Sequence, residues 1–464
     1  MLLDNFRQKY SFIPYMNTGT LLDLLTGKYI QGVDGKYILD GGLPPCMGLV
    51  GRGQTYKSGL AGTFLARALI NHPAAEAVVY ETENNINGPT RYDDFLSRGD
   101  TVSNRILFLS ATDLTLTDFY DQFIKIVEEK LKNKKDYLVE SPFKDRDTGK
   151  KLKVWIPTFV LVDSFSKSKA TKSVSQIEDT SIDSSELNQS WMVDGNIKTR
   201  IMQDLPTRAS KAGVYVIMTA HVGNKIDMAA YGGGAPKQLQ YMSFNDRIKN
   251  VGSNFEFLTN VLIQTISAEV LQDKVKDKDG KTKKGGCMYP TSFSTDVEVN
   301  QVTTVLTRCK NNASGITLPF IVSQYQGVLD AVTNFHFLRK NNNFGLDEKR
   351  PEGGKGKFAY SPYLYPTDLT TLNIRQVTEE DYKISRALEL TAQLCFIQKL
   401  WSTWNLPEYI SVKPKAFAEW LYTCPAATQD RILTSTGVWT TSKQERERLT
   451  LMDILEMMSN GKSK

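Results

Sequence analysis

Between about Tyr29 and Gly223 the chain alternates short apolar runs with longer stretches whose apolar residues fall three and four apart. Met47–Val50, Ala77–Tyr80, Ile106–Leu109, Thr158–Val162 and Val214–Thr219 have the length and composition of buried strands. Ser58–Asn71, Leu116–Leu131 and Ile197–Ala212 carry helical periodicity. Strands separated by helices favour parallel pairing, because each crossover lays a helix over a face of the sheet. The predicted fold class is therefore α/β, with a twisted, mostly parallel sheet. Beyond Asn341 the alternation stops. Gly353–Lys357 reads as a linker, and Glu379–Trp404 and Leu449–Met458 read as helices. A core over 15–340 is thus predicted to precede a smaller, mainly helical C-terminal domain over 341–464.

Several segments have no apolar period. Lys132–Lys153, rich in Lys and Asp, predicts an exposed excursion before the next strand. Lys167–Glu186 is Ser-, Thr- and Lys-rich, and Asn224–Asn250 has three glycines at Gly232–Gly234. Both predict long loops, which tend to be functional when they interrupt a compact domain. Lys274–Gly286, dense in lysine with glycines at its end, predicts a solvated hairpin.

Composition narrows the class further. With 41% hydrophobic and 23% charged residues among 464, the chain has ample material for a core. No apolar run approaches the ~20 residues that span a bilayer, and the N-terminus lacks the apolar stretch of a signal peptide. A cytoplasmic protein without membrane contact is expected. The five cysteines are scattered, odd in number and form no C-x-x-C pair, and there are three histidines. Reduced thiols fit this pattern better than disulfides or zinc. The net charge of +6 permits a polyanionic partner without requiring one.

Gly51-Arg-Gly-Gln-Thr-Tyr-Lys57-Ser58 follows one strand and opens a helix. Phosphate binding needs backbone N–H groups around the anion, a lysine to neutralise it and a hydroxyl for Mg²⁺. Gly51, Gly53, Gln54, Thr55, Tyr56 and Gly59 would shape the cradle, Lys57 would supply the charge, and Ser58 the hydroxyl. Tyr56 stands where a glycine is expected. A Gly-rich turn with a chance Lys-Ser is the plainer alternative. Asp163 ends an apolar strand at a suitable interval and could hold Mg²⁺ opposite Ser58. Glu81 and Glu83 end another strand, where a carboxylate could activate water. Glu81 is expected to face solvent.

These motifs together resemble the RecA-type recombinases. Asn17-Thr-Gly-Thr-Leu-Leu-Asp-Leu-Leu, Gly41-Gly-Leu-Pro and the phosphate loop are similar to the opening of bacterial RecA. Val79-Tyr-Glu-Thr-Glu83, Val162-Asp163-Ser164 and Met218-Thr-Ala-His221 follow in the family's order. The aromatic before the Walker lysine and the histidine at 221 resemble the UvsX recombinases of large tailed phages. The resemblance spans about Tyr15 to Arg339. It implies a RecA-like ATPase core, with ATP and Mg²⁺ as cofactors and Glu83 as catalytic base. It further implies His221 as a γ-phosphate sensor and Tyr92 near the adenine. Val305-Leu-Thr-Arg308-Cys-Lys310 matches the strand whose two cations reach a neighbouring subunit's nucleotide, which assigns that role to Arg308 and Lys310. Residues 1–14 would be a short neighbour-docking segment.

In that family the loops after the Walker B and sensor strands hold DNA. The matching residues are Lys167 and Lys169 in the first, and Lys225, Met228, Tyr231, Lys237, Arg247 and Lys249 in the second. Cations neutralise phosphates, and apolar or aromatic groups stack on bases. The implied partners are single- and double-stranded DNA and further copies of the chain in a helical filament, inside a bacterial host. A hexameric DnaB-type helicase ring and a nucleotide-binding structural filament remain the alternatives.

Overall fold

The computed structural model describes residues 12–461, apart from 84–85, 87, 97–98, 111–114, 146–147, 171–184, 225–236, 277–281, 351–357, 402–406 and 442–446. Its organising element is a mixed, mostly parallel sheet. In chain order the strands are β1 (Cys46–Gly51), β2 (Glu76–Glu81), β3 (Ile106–Ser110), β4 (Thr158–Asp163) and β5 (Val214–Asn224). Then come β6 (Asp246–Ile248), β7 (Val261–Val270), β8 (Val299–Cys309), β9 (Thr317–Ser323) and β10 (Gly327–Val328). Their spatial order is β10-β9-β8-β7-β1-β5-β4-β2-β3, with β6 paired to the end of β5. From β7 to β3 every pairing is parallel. β8, β9 and β10 extend the sheet antiparallel. The central strands are nearly continuous apolar runs because both of their faces are covered.

Helices α1 (Lys57–Asn71), α2 (Leu116–Lys132) and α3 (Ser185–Ala212) connect the parallel strands. The start of α2 is fixed by a capping box in which Thr115 and Asp118 satisfy each other's backbone N–H. Its Leu116, Phe119, Phe123 and Val127 form one buried stripe against Val78, Val160 and Met218. α3 differs from expectation: it begins at Ser185, within the stretch assigned to the first long loop, well before Ile197. Helical periodicity was the only sign sought, and the sequence from Ser185 to Asn196 carries no apolar period. The Lys/Asp-rich excursion is a hairpin of Leu138–Lys144 with Lys151–Trp155. The lysine-rich hairpin pairs Gln272–Lys276 with Thr282–Cys287.

The C-terminal third contains α4 (Asp330–Lys340), α5 (Tyr382–Leu400), α6 (Pro414–Thr423), α7 (Ala426–Thr434) and α8 (Leu451–Ser459). Its apolar side chains join the cluster on one face of the sheet: Leu22, Phe64, Phe335, Leu388, Trp401, Trp439 and Leu455 belong to one continuous core. Residues on both sides of Asn341 therefore share packing. Polar contacts cross the same seam. Trp439 N donates to Asn17 Oδ1 at 3.0 Å, Tyr37 N donates to Asp453 Oδ1 at 2.6 Å, and Arg375 and Glu298 form a buried ion pair at 3.0 Å. Among the described residues no helix is long and apolar enough to cross a membrane.

Candidate functional site

Register brings the singled-out residues to one edge of the sheet. Gly51, where β1 ends, lies beside His221 of β5, and Asp163, where β4 ends, lies beside Glu81 of β2. These are carboxyl ends of parallel strands, where ligands of open α/β sheets bind.

The loop from Gly51 to Ser58 is tightly drawn. A Cβ on Gly51 would sit 1.9 Å from Thr265 Oγ1, so only glycine fits there. Thr55 Oγ1 donates to Arg52 O at 2.8 Å and lies 2.6 Å from Thr265 Oγ1. Gln54 and Tyr56 are left-handed, with φ of 60° and 58°. Tyr56 thus adopts the backbone conformation that glycine adopts without strain. Its hydroxyl accepts from Asn300 Nδ2 at 3.0 Å, which anchors the ring on β8. Gly53 faces open space, and Gly59 stands in the first turn of α1 with only the Tyr56 ring nearby. Lys57 starts α1 and donates to Arg52 O at 2.8 Å. Burial lowers its pKa, ahead of the opposing charges of Asp163 and Glu83. The helix N-terminus and the lysine both favour an anion here.

Asp163 is buried and its pKa is raised by that burial, against hydrogen bonds from Ser58 and Thr219. Its Oδ2 has no hydrogen-bond partner among the described residues. A buried carboxylate oxygen beside a serine hydroxyl is a hard-oxygen pair suited to Mg²⁺, which takes few protein ligands and completes its shell with water and phosphate. Among the described residues no group of three or more His, Cys, Asp or Glu could hold a metal ion.

Glu83 lies 2.7 Å from His221 Nε2 through Oε1 and 3.6 Å from Lys167 Nζ through Oε2. Burial pushes its pKa up, but hydrogen bonds from His221 and Ser164 and the nearby charges outweigh it, so the carboxyl is held below its ordinary value. Glu81 does not face solvent as expected. It is fully buried, and its Oε1 accepts from Glu83 N at 2.8 Å. Glu81 shapes the turn that presents Glu83.

Tyr92 does not suit an adenine contact. It is 0% exposed, and its ring meets Phe95 edge-on at 6.0 Å. Spacing along a sequence gives a residue's place but not its burial. Tyr325 is 56% exposed and follows Gln324, which hydrogen-bonds the Tyr56 hydroxyl. Arg91 holds the Tyr325 and Gln324 carbonyls at 2.6 Å each.

Arg308 and Lys310 lie elsewhere. Arg308 pairs with Leu262, and Leu262 with Gly48, which places Arg308 toward the amino end of β1. At about 3.3 Å per residue this is about 10 Å short of Gly51 along the sheet. Its guanidinium donates to Glu256 O at 3.0 Å and covers the exposed Phe257 ring at 5.4 Å. Lys310 is one residue past the end of β8, and its N donates to Asn260 O at 3.1 Å. Burial and the charge of Arg308 lower the Lys310 pKa, so the two cations are neighbours.

Of the residues assigned to nucleic acid, Lys225, Met228 and Tyr231 lie outside the described residues. Lys169 and Lys237 are exposed. Arg247 lies in β6 and Lys249 just after it, with Lys249 N donating to His221 O at 2.9 Å. Lys167 reaches Glu83 instead of standing apart on a loop. A further contact had no signal in the sequence: Arg52 Nη2 donates to Asp246 Oδ1 at 2.7 Å and to Asn224 Oδ1 at 2.9 Å.

No protein-family model matches the chain, and no curated protein matches it.

Proposed function

We propose that this protein is an ATP-dependent DNA recombinase with a RecA-like core, which binds single-stranded DNA as a filament and promotes homologous pairing. One observation carries the reading: Lys57, Ser58, Asp163 and Glu83 meet at the carboxyl edge of a parallel sheet, at the start of α1. Lys57 and the α1 N-terminus neutralise the phosphates, and Ser58 with Asp163 would hold Mg²⁺. When bound, the metal would supply further neutralisation of phosphate charge. Glu83, kept ionised, accepts a hydrogen bond from the attacking water, and His221 orients that carboxylate. Tyr325 takes the base-stacking role expected of Tyr92. Arg308 cannot reach its own phosphate loop, which fits a role on a neighbouring subunit's nucleotide.

The test combines ATP hydrolysis with imaging. Hydrolysis stimulated by single-stranded DNA, abolished in Lys57→Ala, and helical filaments with ATPγS and DNA support the reading. Closed hexamers would transfer it to a helicase. Filaments indifferent to DNA would make it a structural nucleotide-binding polymer.

A further inference from the structure

The turn that carries Tyr325 is gripped from the C-terminal third of the chain. It joins β9 to β10 and rests on α1: a Cβ on Gly327, whose φ is 65°, would lie 2.1 Å from Thr63 Oγ1. Arg375 is buried on the short helix Ile374–Glu380, and its guanidinium forks onto this turn. Nη2 donates to Gln326 Oε1, and Nη1 donates to Glu298 Oε1 at 3.0 Å. Glu298 is buried too, and its Oε1 also accepts from Ser323 Oγ at 2.6 Å. That hydroxyl in turn accepts from the backbone N of Tyr325 at 3.1 Å and of Gln326 at 3.3 Å. Burial pushes the Glu298 carboxyl up, but hydrogen bonds from Ser294 and Ser323 and the charge of Arg375 outweigh it, so its pKa is held below the ordinary value. An ionised, buried carboxylate therefore links the arginine to the two amides that shape the turn. Arg375 belongs to residues 341–464, which hold none of the groups assigned to nucleotide or DNA.

We propose that Arg375 is a positioning residue for the nucleoside end of the nucleotide site: through Glu298 and Gln326 it fixes the 323–326 turn that presents Tyr325, so the C-terminal third sets affinity for the base while the core alone sets affinity for the phosphates. This rests on the stacking role given to Tyr325. A loose turn has to be ordered when nucleotide binds, and that ordering cost is subtracted from affinity. A buried, charge-assisted fork removes the cost in advance, because releasing the turn strands a desolvated charge. Arg91 grips two carbonyls of the same turn, but at the surface, where water competes for them.

Two measurements test this. Arg375→Met combined with Glu298→Gln removes both buried charges together and leaves an amide oxygen for the Ser323 hydroxyl, so the fold is retained. Gln326→Leu cuts only the second prong, at a half-buried position, and serves if the paired change does not fold. In the protein alone, either variant should speed amide exchange of Tyr325 and Gln326 by about tenfold while leaving the interior of β4 unchanged. Unchanged exchange at these two amides overturns the proposal. In the second measurement, calorimetry compares ATPγS with inorganic tripolyphosphate, each with Mg²⁺. ATPγS should bind the variants about tenfold more weakly than wild type, and tripolyphosphate within about twofold of it, a split that a general loss of structure would not produce. Equal weakening of both ligands, or of neither, overturns the proposal. Tyr325→Ala should weaken ATPγS to a similar extent and add nothing to the paired change, as expected for groups acting as one unit; additive losses would separate Arg375 from Tyr325 and overturn it. Wild type that binds neither ligand overturns the ATPase reading instead, and the exchange measurement, which needs no nucleotide, still decides whether Arg375 fixes the turn.

Discussion

His221 Nε2 lies 2.7 Å from Glu83 Oε1, joining β5 to the turn after β2 across the carboxyl edge of the sheet. The contact keeps the carboxyl below its ordinary pKa in spite of burial. Glu83→Gln keeps shape but cannot accept a proton, so it should bind ATP and lose turnover by about 10²-fold or more. His221→Ala removes hydrogen-bond and charge support, so the acid limb of the pH–rate profile should move toward neutral pH. The wild-type limb falls as pH drops through the lowered Glu83 pKa, and the variant limb should fall earlier. Rates from pH 4 to 8 check both. Equal turnover in Glu83→Gln would remove Glu83 as the base.

Tyr56 carries a second expectation. A left-handed non-glycine residue costs about 1 kcal/mol, and the Asn300 hydrogen bond returns about as much. Tyr56→Gly removes both and should leave ATP affinity within about threefold. Tyr56→Val keeps the strain, adds branching at Cβ and loses the hydroxyl, so affinity should drop by roughly tenfold or more. Titration of a fluorescent ATP analogue distinguishes the two.

The parts legible in the sequence were those set by local rules. β1, β2 and β4 are buried on both faces, so their apolar runs gave them away, and the Gly51–Ser58 segment joins β1 to α1 at the place the sequence put it. Burial and register were not legible. Tyr92 and Glu81 were misplaced because spacing does not say which side chains the fold covers. Arg52 and Asp246 meet only because β6 pairs back onto β5, and no short motif records that return. The start of α3 was not legible because the sequence from Ser185 to Asn196 carries no apolar period.

His72 should make the protein acid-sensitive. It is fully buried against Trp439, its ring nitrogens have no partner among the described residues, and burial pushes its pKa down to about 3. The unfolded chain takes up this proton below its ordinary pKa of 6.5 and the folded chain does not. Stability from this group is therefore complete above pH 6.5 and is lost as pH falls toward 3. At pH 5 the loss is about 2 kcal/mol. His72→Phe should abolish this share, seen as a smaller fall in melting temperature between pH 7.5 and 5. An identical fall would place the acid sensitivity elsewhere.

DNA affinity should depend steeply on salt. Lys237 is exposed, and Lys249 lies beside β5. Removing Lys225, Lys237 and Lys249 together should reduce the slope of log K against log salt by about 2, at roughly 0.7 per phosphate on a single strand. Fluorescence anisotropy with oligo-dT between 50 and 300 mM salt measures it. An unchanged slope would take segment 224–250 out of the DNA site.

Arg308 gives the sharpest test of assembly. Through Leu262 it lies level with Gly48 of β1, about 10 Å along the sheet from Gly51, and its guanidinium rests on the exposed Phe257. In the proposed assembly it would complete the phosphate site of another subunit. Hydrolysis per subunit should then rise with protein concentration and with DNA, which aligns subunits. A cation supplied in trans to the developing phosphate charge can be worth roughly 10³-fold. Arg308→Ala should bind nucleotide as well as wild type, yet hydrolyse poorly when assembled. Lys57→Ala should fail at the other half of the same shared site. Mixing the two variants creates junctions where an intact Lys57 faces an intact Arg308, alongside junctions that lack both. Partial recovery of activity on mixing, absent from either variant alone, would establish the shared site. If the two co-assemble without recovery, Arg308 has no part in hydrolysis, because the register of β8 leaves it no route to its own loop.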